Sequence, residues 1–201
     1  MRILGIAGSL RRDSHNARLL RHVAGRAPAG VEIDIWEGLK SIPPYDEDDD
    51  VQPAPPPVAE LRQAIAAADG VLIATPEYNS SIPGVLKNAI DWASRPRAST
   101  PLQNKPAAVI GATTGRFGAV WAQAETRKVL ASAGARVVDL DLPLALAHEA
   151  FDADGALTSA ELDARAHEVV EALAETIRKR ERRLHAAPEP AGRAQQLSAA
   201  A

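Results

Sequence analysis

The chain contains no cysteine, and only three Trp, two Tyr and two Phe occur among its 201 residues. Without cysteine there can be no disulfide framework, iron–sulfur cluster, thiol nucleophile or cysteine zinc site. No stretch approaches the roughly 18 uninterrupted apolar residues of a membrane span. The apolar run at the N-terminus is also too short for a signal peptide. We therefore expect a cytoplasmic protein that does not associate with membranes, and a reducing compartment fits the lack of thiols.

The charge balance and the scattered histidines exclude two further classes of function. The formal net charge of −3 leaves no strongly basic composition for a nucleic-acid partner, because phosphate contacts need a basic face. The five histidines show no H-x-x-x-H spacing, and the acidic run at 46–50 lacks the glycine and distal glutamate of an EF-hand. We expect no metal site.

Short apolar runs alternate with longer amphipathic stretches along most of the chain. This pattern predicts strands at 3–7, 31–36, 70–75, 107–111 and 137–142, and helices at 14–26, 58–68, 83–93, 117–132 and 158–180. Thr158 and Glu161 have the spacing of a capping box at the start of the last helix. One domain at 1–180 and a flexible C-terminal tail at 181–201 follow.

Alternating strands and helices predict an α/β fold, with a parallel sheet covered by helices on both faces. In such folds ligands bind beyond the carboxyl ends of the strands. The loops after strands one, three and four are therefore the candidate site. The proline-rich segment 42–57 cannot form a regular element, and we expect it to cover the cleft or to pack against a partner subunit.

The loop after strand one has the composition of a phosphate site. Gly8 is followed by the hydroxyls of Ser9 and Ser14 and the guanidinium of Arg11, immediately before a predicted helix. Helix N–H groups, hydroxyls and charged donors together bind a dianion. The alternative is a surface loop in which Ser14 only caps the helix. Neither G-x-x-x-x-G-K-[ST] nor G-x-G-x-x-G is present.

The two other loops have the composition of backbone-rich binding turns. Residues 75–84 mix Pro, Asn, Ser and Gly, which suits the edge of a flat heteroaromatic ring against which Tyr78 would pack. Residues 112–118 are equally permissive, and Arg116 would meet a second anion. Each loop also fits an ordinary strand-to-helix turn. Trp92 and Trp121 fall on predicted helices, where packing or a subunit interface is the expected role.

Two motifs in order along the chain resemble the NADPH-dependent FMN reductase family. They are Gly8-Ser9-Leu10-Arg11 with Ser14 and Asn16, and PEYNSSIPGVLKNAIDW at 76–92. The resemblance spans about residues 1–180. It implies a flavodoxin-like fold with strand order 2-1-3-4-5, FMN as cofactor and NADPH or NADH as electron donor. It further implies a homodimer or homotetramer, and an acceptor such as a quinone, azo compound, metal oxyanion or free flavin.

The resemblance also assigns roles to residues of three loops. The phosphate would be bound by Ser9, Arg11, Ser14 and Asn16, with His15 beside them at a position where relatives often carry an aromatic residue. The isoalloxazine would be lined by Pro76, Glu77, Tyr78 and Asn79, with Ser80 and Ser81 nearby. The third wall would come from residues 113–118, chiefly Thr114 and Gly115.

The implied function is an oxidoreductase in which NAD(P)H passes a hydride to FMN and the reduced flavin serves a small acceptor. No catalytic side chain is required, because the cofactor carries the chemistry. The competing reading is a flavodoxin-type electron carrier without turnover, which the few aromatics and the modest net charge disfavour. A receiver-type signalling domain would need acidic residues where this chain has Gly8-Ser9 and Thr75-Pro76.

Overall fold

The computed structural model describes residues 1–186. Its strands are β1 (Arg2–Ala7), β2 (Glu32–Trp36), β3 (Gly70–Thr75), β4 (Pro106–Ala112), β5 (Arg136–Val137) and β6 (Pro143–Leu144). Its helices are α1 (His15–Gly25), α2 (Pro56–Ala67), α3 (Gly84–Ala93), α4 (Val120–Ser132) and α5 (Ala160–Ala186). None of these helices combines the length and apolarity needed to cross a bilayer.

The sheet is parallel throughout, in the order β2-β1-β3-β4-β5. The predicted order and the parallel pairing are confirmed. The prediction of one continuous fifth strand is wrong, because β5 and β6 are separate pieces that pair with opposite ends of β4. Just before β6, the side-chain amide of Gln123 accepts from the Leu142 N–H and donates to the Leu142 carbonyl. The Leu142 carbonyl also accepts from the Gly111 N–H of β4. The strand is interrupted because the register shifts: Pro106 pairs with Arg136 but Gly111 pairs with Pro143, so the chain between β5 and β6 has two residues more than a continuous parallel strand would need.

Helices cover both faces of the sheet, as predicted. On one face α1 and α5 pack their apolar side chains against the strands, with Leu19, Leu20, Val169 and Leu173 fully buried. On the other face, α2, α3 and α4 bury Leu61, Ile65, Leu86, Ile90 and Leu130. Because β3 and β4 lie between two cores, every residue in them is buried, which explains their continuous apolar sequence.

Two helix boundaries differ from the predicted ones by more than a residue or two. α4 begins at Val120 rather than 117, because Gly118 and Ala119 both have positive φ and keep the loop from becoming helical. α5 is capped by Ser159, whose Oγ accepts from the Leu162 N–H at 3.3 Å, and not by Thr158. It continues to Ala186, beyond the predicted end at 180. The rest of the predicted tail, 187–201, lies outside the described residues.

The proline-rich segment is irregular as predicted up to residue 55, but the prediction is wrong for Pro56 and Pro57, which form the start of α2, where proline is tolerated because the first N–H groups have no helical acceptor. The irregular part is fastened to α2 and α3. The carbonyl of Pro43 accepts from Asn88 Nδ2 at 2.8 Å and from Trp92 Nε1 at 2.9 Å. Further along, Asp50 forms an ion pair with Arg62 at 2.8 Å, and both side chains are largely buried. Trp92 is fully buried, which confirms its predicted packing role.

Candidate active site

Strand register brings the three predicted loops to one edge of the sheet. Ala7 at the end of β1 pairs with Ala74 of β3, and Thr75 pairs with Gly111 of β4. The loops that follow these strands therefore emerge side by side at the carboxyl edge. Gly8 closes the first of them against β3: its N–H donates to Ala74, and a Cβ there would lie 2.8 Å from Leu86. Only glycine fits so close an approach.

The start of α1 presents donors toward this edge. Ser14 is the N-cap, and its Oγ accepts from the Ala17 N–H at 3.2 Å. The N–H groups of His15 and Asn16 belong to the first helical turn, where no intrahelical acceptor exists. The Ser14 hydroxyl proton is not consumed by capping and is available to an anion. Both alternatives for this residue are thus compatible: Ser14 caps the helix and still offers a donor.

Asn16 occupies a different role from the one expected. Its side chain is buried, with Nδ2 donating to the Ala112 carbonyl at 2.8 Å and Oδ1 accepting from the Ala112 N–H at 2.9 Å. The amide therefore replaces a strand neighbour at the end of β4, a structural role that the sequence did not reveal. What Asn16 offers at the edge is its backbone N–H.

At the start of α1, Arg11 supplies a positive charge and His15 a ring nitrogen that has no hydrogen-bond partner. The exposed guanidinium of Arg11 donates to the carbonyl of Asp13, so it is folded onto its own loop. Nδ1 of His15 is buried without a partner among the described residues. Burial lowers the pKa of His15, and the positive charges of Arg11, Arg18 and His148 add to this. A bound anion would give this nitrogen a partner, so the residues fit a phosphate group.

The loop after β3 ends in a rigid, exposed turn. Tyr78 and Ser81 exchange two backbone hydrogen bonds of 3.1 Å, and the residues between them, Asn79 and Ser80, have φ of 53° and 60°. Positive φ at both central positions defines a type I′ turn. Tyr78 is half exposed, and Pro76 is buried beneath it. The predicted fixed backbone is present, with exposed groups that suit the edge of a planar ring.

The carboxylate of Glu77 faces away from the predicted ring position. Its Oε2 accepts from the N–H groups of Trp121 and Ala122, both at 3.1 Å, in the first turn of α4. Ala119, the N-cap residue of α4, has no side chain able to cap. Glu77 therefore caps a helix that is distant in sequence, and the expected lining role falls to its backbone.

A residue that the sequence did not reveal completes this part of the site. Glu125, on α4, accepts a hydrogen bond from Ser81 Oγ. The Ser81 hydrogen bond is the main reason why the pKa of Glu125 lies below its ordinary value. No motif marks this glutamate, since its partner lies 44 residues away.

The loop after β4 forms a third side of the edge. The Thr113 N–H donates to the Leu144 carbonyl in β6, and the Thr113 carbonyl accepts from the Ala147 N–H just after β6. Its Oγ1 accepts from the Gly115 N–H at 3.2 Å. Thr114, Gly115 and Arg116 are exposed. Gly118 fits so tightly that a Cβ would lie 2.3 Å from the backbone of Pro143. This wall is therefore preformed, and the segment 144–148 behind it was not expected from the sequence.

Two exposed aromatics lie next to this wall. Phe117 and Trp121 form an edge-to-face pair with ring centroids 5.1 Å apart, and they are 63 % and 48 % exposed. Trp121 is also the residue whose N–H is bound by Glu77, so the pair adjoins the Tyr78 turn. Large apolar side chains left open together in one chain are typical of a binding surface.

A parallel sheet in the order β2-β1-β3-β4-β5 with helices on both faces defines the flavodoxin-like class of proteins. The model of the NADPH-dependent FMN reductase family matches residues 1–149, and the chain belongs to this family. It is accordingly an oxidoreductase that uses FMN as cofactor and NAD(P)H as electron donor.

Individual relatives agree with this assignment. The chain is 42 % identical over 185 residues to an NAD(P)H-dependent FMN reductase of Pseudomonas aeruginosa, covering 92 % of this chain and 97 % of the relative. It is 44 % identical over 131 residues to a 2-hydroxy-1,4-benzoquinone reductase of Burkholderia, covering 65 % and 70 %. A solved flavoenzyme NAD(P)H:(acceptor) oxidoreductase of Paracoccus denitrificans matches with a TM-score of 0.78 and 36 % identity, covering 89 % and 97 %.

Proposed function

We propose that this protein is a quinone reductase that binds FMN at the carboxyl edge of the sheet between β1, β3 and β4. The observation that carries the site is the buried His15 Nδ1, which has no hydrogen-bond partner among the described residues. It lies in the first turn of α1, where the backbone N–H groups and the hydroxyls of Ser9 and Ser14 offer further donors. Arg11 would turn from the Asp13 carbonyl to the phosphate. The residues 76–80 would line the ring, and Thr114 and Gly115 would close the third side.

The residues of the chain itself would bind and orient rather than react. FMN, when bound, supplies the acceptance of two electrons from NAD(P)H and their delivery to a second substrate. Backbone N–H groups of the Tyr78 turn and the α1 dipole favour negative charge at this edge. Quinones are the proposed acceptors because 2-hydroxy-1,4-benzoquinone reductase and quinone reductases are among the relatives.

The functional unit would be a homodimer or homotetramer in which a second copy covers Phe117, Trp121 and Tyr78. Their exposure next to the proposed ring position supports this, since burial of such side chains stabilises subunit contacts. Analytical ultracentrifugation of the chain and of Phe117→Ser/Trp121→Ser tests it, with dissociation of the variant expected. A variant that keeps the wild-type mass would contradict it.

Three assignments from the sequence stay predictions. One is the domain at 1–180, and another is the cytoplasmic location, which fractionation of cells expressing the chain would test. The last is that the protein is not an electron carrier, which a turnover measurement tests.

Turnover by the purified protein tests the central proposal. We expect the protein to bind FMN, to show the absorbance of bound flavin, and to oxidise NADPH or NADH continuously when benzoquinone is present. The rate without quinone and the rate with free FMN but no protein are the controls. Flavin that is reduced once and then supports no continued oxidation would identify an electron carrier, and a failure to bind FMN would refute the site.

A further inference from the structure

The Tyr78 turn is held in place by hydrogen bonds that run in both directions between it and α4. From the turn side, Glu77 accepts from the Trp121 and Ala122 N–H groups. From the helix side, Glu125 accepts from the Ser81 hydroxyl. Each partner thus supplies a carboxylate to the donors of the other, on either side of the two-residue turn. We call these three hydrogen bonds the reciprocal clamp.

The clamp acts on a turn that has few other restraints. Asn79 and Ser80 are exposed and have positive φ, a conformation that non-glycine residues adopt at a cost in free energy. The two hydrogen bonds between Tyr78 and Ser81 close the turn but do not fix its position relative to the sheet. The hydrogen bonds of Glu77 to the start of α4 and of Ser81 to Glu125 on α4 provide that position.

Positive charge near Glu125 favours its ionised form, which is the form that accepts the hydrogen bond from the turn. Lys87 and Lys128 both lower the pKa of Glu125, in addition to the Ser81 hydrogen bond. Lys87 itself is paired with Asp91 at 2.8 Å, one helical turn further along α3. The carboxylate is therefore ionised at neutral pH, which strengthens its hydrogen bond to Ser81.

We infer that Glu125 is a positioning residue for the flavin ring. Through its hydrogen bond with Ser81, and together with Glu77, it fixes the position of the Tyr78 turn before FMN binds. This rests on the proposed placement of the ring against residues 76–80. Since Glu125 touches the turn and not the cofactor, its removal should cost affinity through disorder of the turn. Binding to a preordered site is tighter because the ordering cost has been met during folding.

A double-mutant cycle between Ser81 and Glu125 tests the inference. We expect Ser81→Ala and Glu125→Ala each to raise the dissociation constant of FMN about tenfold, and the double variant to raise it no further. Glu60→Ala, which removes an exposed carboxylate from α2, is the matched control and should bind like the wild type. A hundredfold loss in the double variant would show independent effects and overturn the clamp, as would unchanged affinity in the single variants.

Amide hydrogen exchange of the protein without FMN gives a second readout. The Ser81 and Ile82 amides should exchange faster in Glu125→Ala, whereas the amides of α5 should be unaffected. Equal exchange in both proteins would also overturn the inference. If the wild type failed to bind FMN, the proposed function would fall, and the exchange experiment would still decide whether Glu125 orders the turn.

Discussion

The two loops that form most of the site are stabilised in different ways. In residues 8–16, Ser14 bonds to Ala17, and Arg11 bonds to Ser9 and Asp13, all within three positions along the chain. In residues 76–82, Glu77 and Ser81 bond to α4, at separations of 44 and 45 residues. The proposed anion site is therefore largely local, whereas the position of the Tyr78 turn depends on tertiary contacts.

This difference explains what each loop can tolerate. A helix start exposes donors wherever the helix forms, so the anion site needs only α1 and a few short side chains. The turn is closed by its own two hydrogen bonds but is positioned through α4, so a change on α4 is expected to reach it. Gly8 and Asn16 are exceptions to this comparison, since they lie in the local loop and bond to Ala74 in β3 and Ala112 in β4.

The largest expected effect is that of Asn16→Ala on folding. This change leaves the Ala112 N–H and carbonyl without their buried partner, and we expect the free energy of unfolding to fall by about 2–4 kcal/mol. Urea denaturation followed by circular dichroism measures it. Gln63→Ala, at an exposed position of α2, should change stability by less than about 0.5 kcal/mol. If both variants were equally stable, Asn16 would have no structural role and the phosphate assignment of its side chain would return.

The next largest effect is expected for Arg11→Ala, which should change FMN affinity without changing the free energy of unfolding. The guanidinium is exposed and bonds only within its own loop in the described structure. We expect FMN affinity to fall by about 1.5–3 kcal/mol, roughly ten- to a hundredfold, with unchanged stability. Quenching of FMN fluorescence measures the affinity. The matched control is Arg12→Ala, which removes the adjacent exposed charge; an equal loss in that variant would indicate general attraction of the anion rather than a contact by Arg11.

The same division determines what the sequence could predict. Apolar runs such as 70–75 are local signals that predicted the strands, and the family resemblance predicted their order. The composition of 8–16 is also a local signal, and it predicted the position of the proposed site. The roles of the Glu77 and Asn16 side chains could not be read in this way, because their partners, α4 and Ala112, are brought close only by the folded sheet. The break in the fifth strand was missed for the same reason, since the register shift between β5 and β6 exists only in their pairing with β4.

Proton linkage should appear on the anion side and not at the turn. His15 faces the positive charges of Arg11, Arg18 and His148, the last paired with Glu149, and its pKa without ligand is lowered chiefly by burial. A phosphate dianion would stabilise the protonated imidazole, so that FMN binding takes up a proton in the range where free His15 is neutral.

Because binding takes up a proton, FMN affinity should increase as the pH falls. From pH 8.5 down to 6.5, where the FMN phosphate remains mainly dianionic, affinity should rise by about threefold in the wild type. His15→Gln should show a flat profile, and so should riboflavin, which lacks the phosphate, with the wild-type protein. Titration of both flavins by fluorescence across this range is the measurement. A riboflavin profile as steep as that of FMN would place the titrating group near the ring. The expected contrast, with proton linkage at the phosphate and none at the Tyr78 turn, would then be wrong.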